Sequence, residues 1–337
     1  VTSDQQSTGT TWPEAATKAR LHFVSGKGGT GKTTVASALA LTLAAEGKKV
    51  LLVECEGRQG IAQLFDIPPL PPTETRVATA EGGGEVSALA IDIEHALLEY
   101  LDMFYNLGFA GRAMKRIGAI DFVTSIAPGL KDVLITGKIK ECVIRTEKNG
   151  KRVYDAVVVD APPTGRIGNF LDVTKAMSDV VNTGPIRNQS EGVVQLLHSP
   201  DTVVHLVTLL EAMPVQETIE AVAELESKNL PIGALIVNRS EPLHLPSDQV
   251  DDIADGTIDA DRVRVDLAAA GLEVSDADLA GLLTETIEHA TRVQAQQEAR
   301  DDLDKLEQAQ VELPAFDEGV DLGALYTLSD LLRKAGA

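Results

Sequence analysis

Only two of the 337 residues are cysteine, Cys55 and Cys142, and they stand far apart with no C-x-x-C spacing. That excludes a disulfide framework and a thiolate zinc site, and leaves both as small buried residues. Aromatic residues make up 4% of the chain, with a single Trp. No apolar run approaches the ~18 residues needed to cross a bilayer, so no integral membrane segment is expected. Positive charge is scarce too: the formal net charge is −21. Residues 241–337 alone hold 23 acids against 7 Lys or Arg, a net of −16. A surface of that sign repels nucleic-acid phosphate, so no nucleic-acid partner is expected, and the acidic stretch reads as a solvated helical face. Residues 1–18 are polar without an apolar signal core and read as a flexible N-terminal arm, its Trp12 free to dock at a place the sequence does not name. A cytoplasmic location is the resulting expectation.

What is present centres on residues 20–34. Leu21 to Ser25 predicts a short buried strand and Thr33 to Ala45 a helix, and between them Gly26, Gly31, Lys32 and Thr33 fit the phosphate-loop pattern G-x-x-x-x-G-K-[ST]. Glycines let such a loop wrap a polyphosphate with its N–H groups inward. Gly28, Gly29, Thr30, Gly31, Lys32, Thr33 and Thr34 are therefore the candidate ATP-binding residues. Lys32 reaches the β/γ-phosphates, Thr33 offers a hydroxyl to Mg²⁺, and the helix N-terminus adds favourable charge.

Further strands are expected at Val50–Val53, Val86–Ile91, Tyr154–Asp160, Val203–Leu209, Gly233–Val237 and Val311–Leu313, with loop over 68–85 and 182–190. Helices are expected over 92–118 with a break near 106–111, over 129–146, from Pro214 to Lys228, and from Asp321 to Arg333. Continuous apolar strands alternating with helices indicate an α/β fold, a doubly wound and mostly parallel sheet with helical insertions. We expect a single domain over 19–337, with a helical insert at about 92–147 and an acidic helical segment at about 243–310.

Asp160 closes an apolar strand and is followed by Ala161-Pro162-Pro163-Thr164-Gly165. In a chain that owns a phosphate loop, this is the aspartate that holds the water shell of Mg²⁺ opposite Thr33, and the Gly165 amide is placed to meet the γ-phosphate. Glu56, just past the second strand, is the candidate for orienting the attacking water; Glu54 competes for that role.

Lys27 gives the loop the form Gly-Lys-Gly-Gly-Thr-Gly-Lys-Thr-Thr. It resembles the deviant phosphate loop of a group of P-loop NTPases that includes partition and cell-division ATPases, nitrogenase iron protein and the ArsA-type ATPases. The resemblance implies a dimer in which Lys27 touches the nucleotide of the partner subunit; otherwise it is a solvated loop cation. Tyr154–Arg166, Gln216-Glu217-Thr218, Ile236–Arg239 and Glu312-Leu313-Pro314 occur in an order similar to the ArsA-type anion-transporting and tail-anchored-protein targeting ATPases. By that resemblance Asn238 reads the adenine edge, and the loop near Pro314 closes over the base. It also implies a homodimer or a heterodimer with a paralogous ATPase. The family's Asp-Pro-Ala-His first switch is here Glu56-Gly57-Arg58-Gln59, and the zinc-binding CxxC and the thiol cluster of some members are absent. Tyr100, Met103, Phe104, Tyr105, Phe109, Met114 and Phe122 gather soft side chains into a candidate groove for an apolar client or partner helix, or into an ordinary packed core. Competing readings are a nucleotide-binding subunit with little hydrolysis, a partition ATPase, for which a basic face is missing, and an iron–sulfur ATPase, for which the cysteines are misplaced.

Overall fold

Apolar runs without alternation can only be satisfied by strands covered on both faces, and the chain folds that way. The computed structural model describes residues 12–96, 130–172, 185–241, 245–316 and 319–337. Strands β1 (Leu21–Gly26), β2 (Lys49–Glu54), β3 (Thr75–Thr79), β4 (Glu85–Ala90), β5 (Ala156–Asp160), β6 (Thr202–Thr208), β7 (Ile232–Ser240) and β8 (Gln310–Pro314) form one sheet. Their order is β3-β4-β2-β5-β1-β6-β7-β8, with every neighbour parallel except β3 on β4.

From β1 the chain runs to one side of the sheet; after β5 it crosses to β6 and continues on the other side. Such a reversal opens a crevice at the carboxyl ends of the strands, beside β1, where an open α/β sheet binds its ligand.

Leu21, Phe23, Val157 and Val159 face one layer of helices. That layer holds α4 (Leu130–Ile144), α5 (Thr164–Leu171), α6 (Pro185–Leu197), α7 (Ala212–Ser227) and the end of α10 (Asp276–Leu303). Val24, Ala156 and Val158 face the other layer, α1 (Glu14–Lys18), α2 (Lys32–Ala44), α3 (Gly60–Leu64) and α11 (Leu322–Lys334). α2 is buried from Val35 to Leu41, as an Ala- and Leu-rich helix wedged between sheet and helix should be. Phe23 meets Phe170 edge to face, ring centroids 6.4 Å apart, and so fixes α5 over β1.

Three sequence expectations change. Residues 68–85 are not all loop: Thr75–Thr79 pairs antiparallel with β4, after a turn whose Gly82 and Gly83 both take positive φ. The prolines of this stretch hide an edge strand, the one place where an antiparallel partner suits a parallel sheet. Within 182–190, Pro185 opens α6, as proline does at a first helical position. And the end of the N-terminal arm is packed, since Trp12 is 4% exposed and its backbone N–H donates to the Ala335 carbonyl at 2.9 Å.

Trp12 stacks on His205, centroids 4.9 Å apart. The His205 Nδ1 accepts the Ala234 N–H at 3.1 Å, so its Nε2 carries the proton and donates to His22 Nδ1 at 3.2 Å; His22 Nε2 then donates to the Ala19 carbonyl at 3.1 Å. Burial holds both imidazoles neutral, pushing His22 down to about 4 and His205 well below its ordinary value.

The acidic segment holds α8 (Val250–Ala254), α9 (Ala260–Ala269) and α10, and α9 buries none of its side chains. The aromatic and methionine cluster of the helical insert, Tyr100 to Phe122, lies outside the described residues.

Candidate functional site

The loop after β1 lies in the crevice, and two glycines show why only glycine serves there. A Cβ on Gly26, at φ 156°, would sit 2.1 Å from the Val207 carbonyl oxygen of β6. A Cβ on Gly31, at φ 89°, would sit 2.3 Å from Asn238 Nδ2. Gly31 is also the N-cap of α2, and no side chain caps that helix. The first-turn amides of Lys32, Thr33 and Thr34 are thus left for an anion, which a helix N-terminus attracts. Gly28 and Gly29 lie exposed, while Thr30 is buried and its hydroxyl donates to the Lys27 carbonyl at 2.9 Å.

Lys32, Thr33, Glu54, Glu56, Arg58, Gly60, Asp160 and Ala161 line one cleft. Thr33 Oγ1 donates to Asp160 Oδ2 at 2.7 Å. Asp160 ends β5 in register with Val24 on one side and Glu54 on the other, so parallel pairing itself brings the two carboxylates beside the phosphate loop. Burial pushes Asp160 up to about 6; the Thr33 hydrogen bond and the Lys32 charge oppose this, and Glu54 and Glu56 add to it. Burial lowers Lys32 from its ordinary value, against the pull of Asp160 and Glu56. Its ammonium donates to the Lys27 carbonyl at 3.2 Å.

The two candidate water-orienting carboxylates differ in their surroundings. Glu54 is 2% exposed and accepts the Gln59 N–H at 2.5 Å and the Ile61 N–H at 3.4 Å, with Gln59 turned to φ 59°. Glu56 is more open and pairs with Arg58 at 3.1 Å and Arg166 at 3.5 Å. Ser25 Oγ donates to the Pro162 carbonyl at 2.7 Å, tying the loop after Asp160 to β1.

Lys27 does not join the cleft lining; its ammonium is 2.9 Å from Glu217 of α7. Asn238, near the end of β7, donates to the Thr30 carbonyl at 2.8 Å. Pro314 ends β8 in register with Ser240, at the same edge of the sheet. Sequence reasoning missed Arg58, Arg166 and Glu217 as neighbours of these groups. Glu217 was visible only as part of Gln216-Glu217-Thr218, and nothing local to that triplet points to Lys27.

A family model described as anion-transporting ATPase matches residues 19–200. The chain belongs to the anion-transporting ATPase family. It is 64% identical over 325 residues to the ATPase BagA of Mycobacterium tuberculosis, covering 96% of both chains. The arsenical pump-driving ATPase of Escherichia coli is 27% identical over 289 residues, 79% of this chain and 45% of that one. The ATPase GET3 of Candida glabrata is 24% identical over 252 residues, 64% of this chain and 71% of that one. As a member of the anion-transporting ATPase family the protein is an ATP-hydrolysing P-loop enzyme, and its substrate is the nucleotide.

Thr33 and Asp160 offer the cleft a hydroxyl and a carboxylate, hard oxygens of the kind that suit Mg²⁺. Among the described residues no group of three or more His, Cys, Asp or Glu is placed to hold a metal ion. No helix among the described residues is long and apolar enough to cross a membrane.

Proposed function

We propose that this ATPase is Mg²⁺-dependent and works as a dimer that closes around ATP, each chain lending Lys27 to its partner's nucleotide. The observation that carries the reading is the contrast between two lysines of one loop. Lys32 lines the cleft, whereas Lys27, on the same loop and equally half-buried, leaves it to pair with Glu217. A cation outside its own site is available to another. The partner is a second copy or a paralogous ATPase, and opening and closing of the dimer is the motion that would serve a client.

Lys32 and the amides of residues 31–34 bind the phosphates, and Glu56 orients the attacking water. Thr33 and Asp160 would hold Mg²⁺, which when bound supplies positive charge to the phosphate oxygens. Asn238, tied to the phosphate loop through the Thr30 carbonyl, and the loop at Pro314 receive the adenine base. Phosphoryl transfer to water rests mainly on such positioning and charge, so a second lysine aimed at the γ-phosphate is a rate device rather than a binding one.

Native mass measured with and without a non-hydrolysable ATP analogue tests the dimer. The mass should double for the chain alone, or for a mixture with its paralogue, when analogue and Mg²⁺ are both present. A chain that binds the analogue and stays single in both settings would end the reading. The metal has its own check, with its sign set by Asp160. Its carboxyl, pushed up to about 6, is ionised at pH 7 and protonated at pH 5. A proton then competes with the cation, so the Mg²⁺ concentration for half-maximal turnover should rise about tenfold between pH 7 and pH 5. An unchanged requirement would remove Asp160 from the metal site.

A further inference from the structure

We propose that Glu217 is a positioning residue for Lys27: it latches that lysine in the resting chain and releases it when nucleotide moves the loop after Asp160. The proposal rests on the reading that Lys27 acts across a dimer interface.

Both carboxylate oxygens of Glu217 are engaged, and by different loops. Oε1 lies 2.9 Å from the Lys27 ammonium, in the loop after β1. Oε2 accepts the Thr164 hydroxyl at 3.2 Å, at the end of the loop after β5. One side chain thus joins the lysine to the loop placed to meet the γ-phosphate. Helices α5 and α7 meet again further along. Seven residues along α7, on the same helical face, Glu224 lies so close to α5 that a Cβ on Gly168 would stand 1.9 Å from its Oε1. Helix α5, which begins at Thr164, therefore cannot slide over α7 without disturbing this contact.

Lys27 is held at a second point. Its carbonyl accepts the Lys32 ammonium at 3.2 Å. A polyphosphate in the loop takes Lys32 for itself, and a γ-phosphate met by the Gly165 amide draws Thr164 away from Glu217. Two holds on Lys27, the Glu217 ion pair and the Lys32 hydrogen bond, are thereby weakened by the ligand whose hydrolysis Lys27 serves, while the Thr30 hydroxyl still donates to the Lys27 carbonyl. The ion pair is partly exposed, 25% on Lys27 and 37% on Glu217, so it is strong enough to bias the side chain and weak enough to break. A ligand can shift such an equilibrium only through contacts that differ between the two states, and these two contacts differ.

The test uses the full chain with Glu217→Gln and, separately, Thr164→Val. First, Lys27 acylation by acetic anhydride is followed by mass spectrometry without nucleotide. Glu217→Gln should raise its rate about threefold to fivefold, as loss of a partly exposed ion pair predicts. Thr164→Val should do so by less. Second, turnover per chain is measured against chain concentration. The half-saturating concentration should fall about threefold to tenfold in Glu217→Gln, since each chain of a dimer gives up one latch. Unchanged acylation of Lys27 would overturn the latch. Faster acylation with an unchanged half-saturating concentration would leave a contact without a gating role, and would overturn the proposal equally. A Lys27→Ala chain with normal turnover is a different result: it removes the interface reading itself, and with it any use for a latch.

Discussion

Lys27→Ala should lower ATP turnover by about 10³-fold while leaving the affinity for ATP almost unchanged. The asymmetry follows from where the residue sits. On the proposed reading Lys32 and the uncapped amides of α2 neutralise the phosphates, whereas the Lys27 ammonium rests on Glu217 outside the cleft. An interaction made only when charge develops on the transferring phosphoryl group lowers kcat and kcat/KM together. Lys32→Ala, by contrast, should weaken ATP binding as well. Mixing two disabled chains sharpens the point. In a symmetric dimer the Lys27→Ala chain keeps an intact cleft, and an Asp160→Asn chain keeps an intact lysine to lend. An equal mixture should therefore recover about a quarter of the normal rate per chain, because about half the dimers are mixed and each has one complete site. A mixture whose mass doubles without any recovery would place Lys27 in its own active site.

The parts of this enzyme that were legible in the sequence are those whose physics is local. A strand buried on both faces is apolar along most of its length, which is why Val50–Val53 and Tyr154–Asp160 could be read as parallel strands and Asp160 as the residue at the crevice. The phosphate loop was legible because a backbone that wraps an anion needs glycine at fixed places, and Gly26 and Gly31 have no room for a Cβ. The edge strand Thr75–Thr79 escaped because its residues are only half buried and its partner lies across a Gly-rich turn. The docking of Trp12 on His205 and the pairing of Lys27 with Glu217 escaped for a different reason. Each joins residues more than 180 positions apart, and neither leaves a mark on the pattern near its own ends.

Glu54 and Glu56, two of the three carboxylates at the cleft, differ in their surroundings, and on the proposed reading substitution should separate a structural group from a chemical one. Glu56→Gln should cut turnover by about 10²- to 10³-fold, as loss of a group that orients and deprotonates water does, with little change in thermal stability. Its partners Arg58 and Arg166 have side chains 73% and 52% exposed, so pairs to them contribute little to folding. Glu54→Gln should do the reverse. Its buried carboxylate receives two backbone N–H groups at the start of α3, and an amide offers them one oxygen and a clashing NH₂. Leaving a buried donor unmet costs about 1–3 kcal/mol, visible as a lower unfolding midpoint in urea, with turnover per folded chain reduced less than about tenfold. The arginines on Glu56 also imply that it is held aside until phosphate competes for them, since guanidinium groups pair with phosphate as readily as with carboxylate. Wild-type turnover in Glu56→Gln together with its loss in Glu54→Gln would transfer the water to Glu54 and leave Glu56 as a tether between the two switch loops.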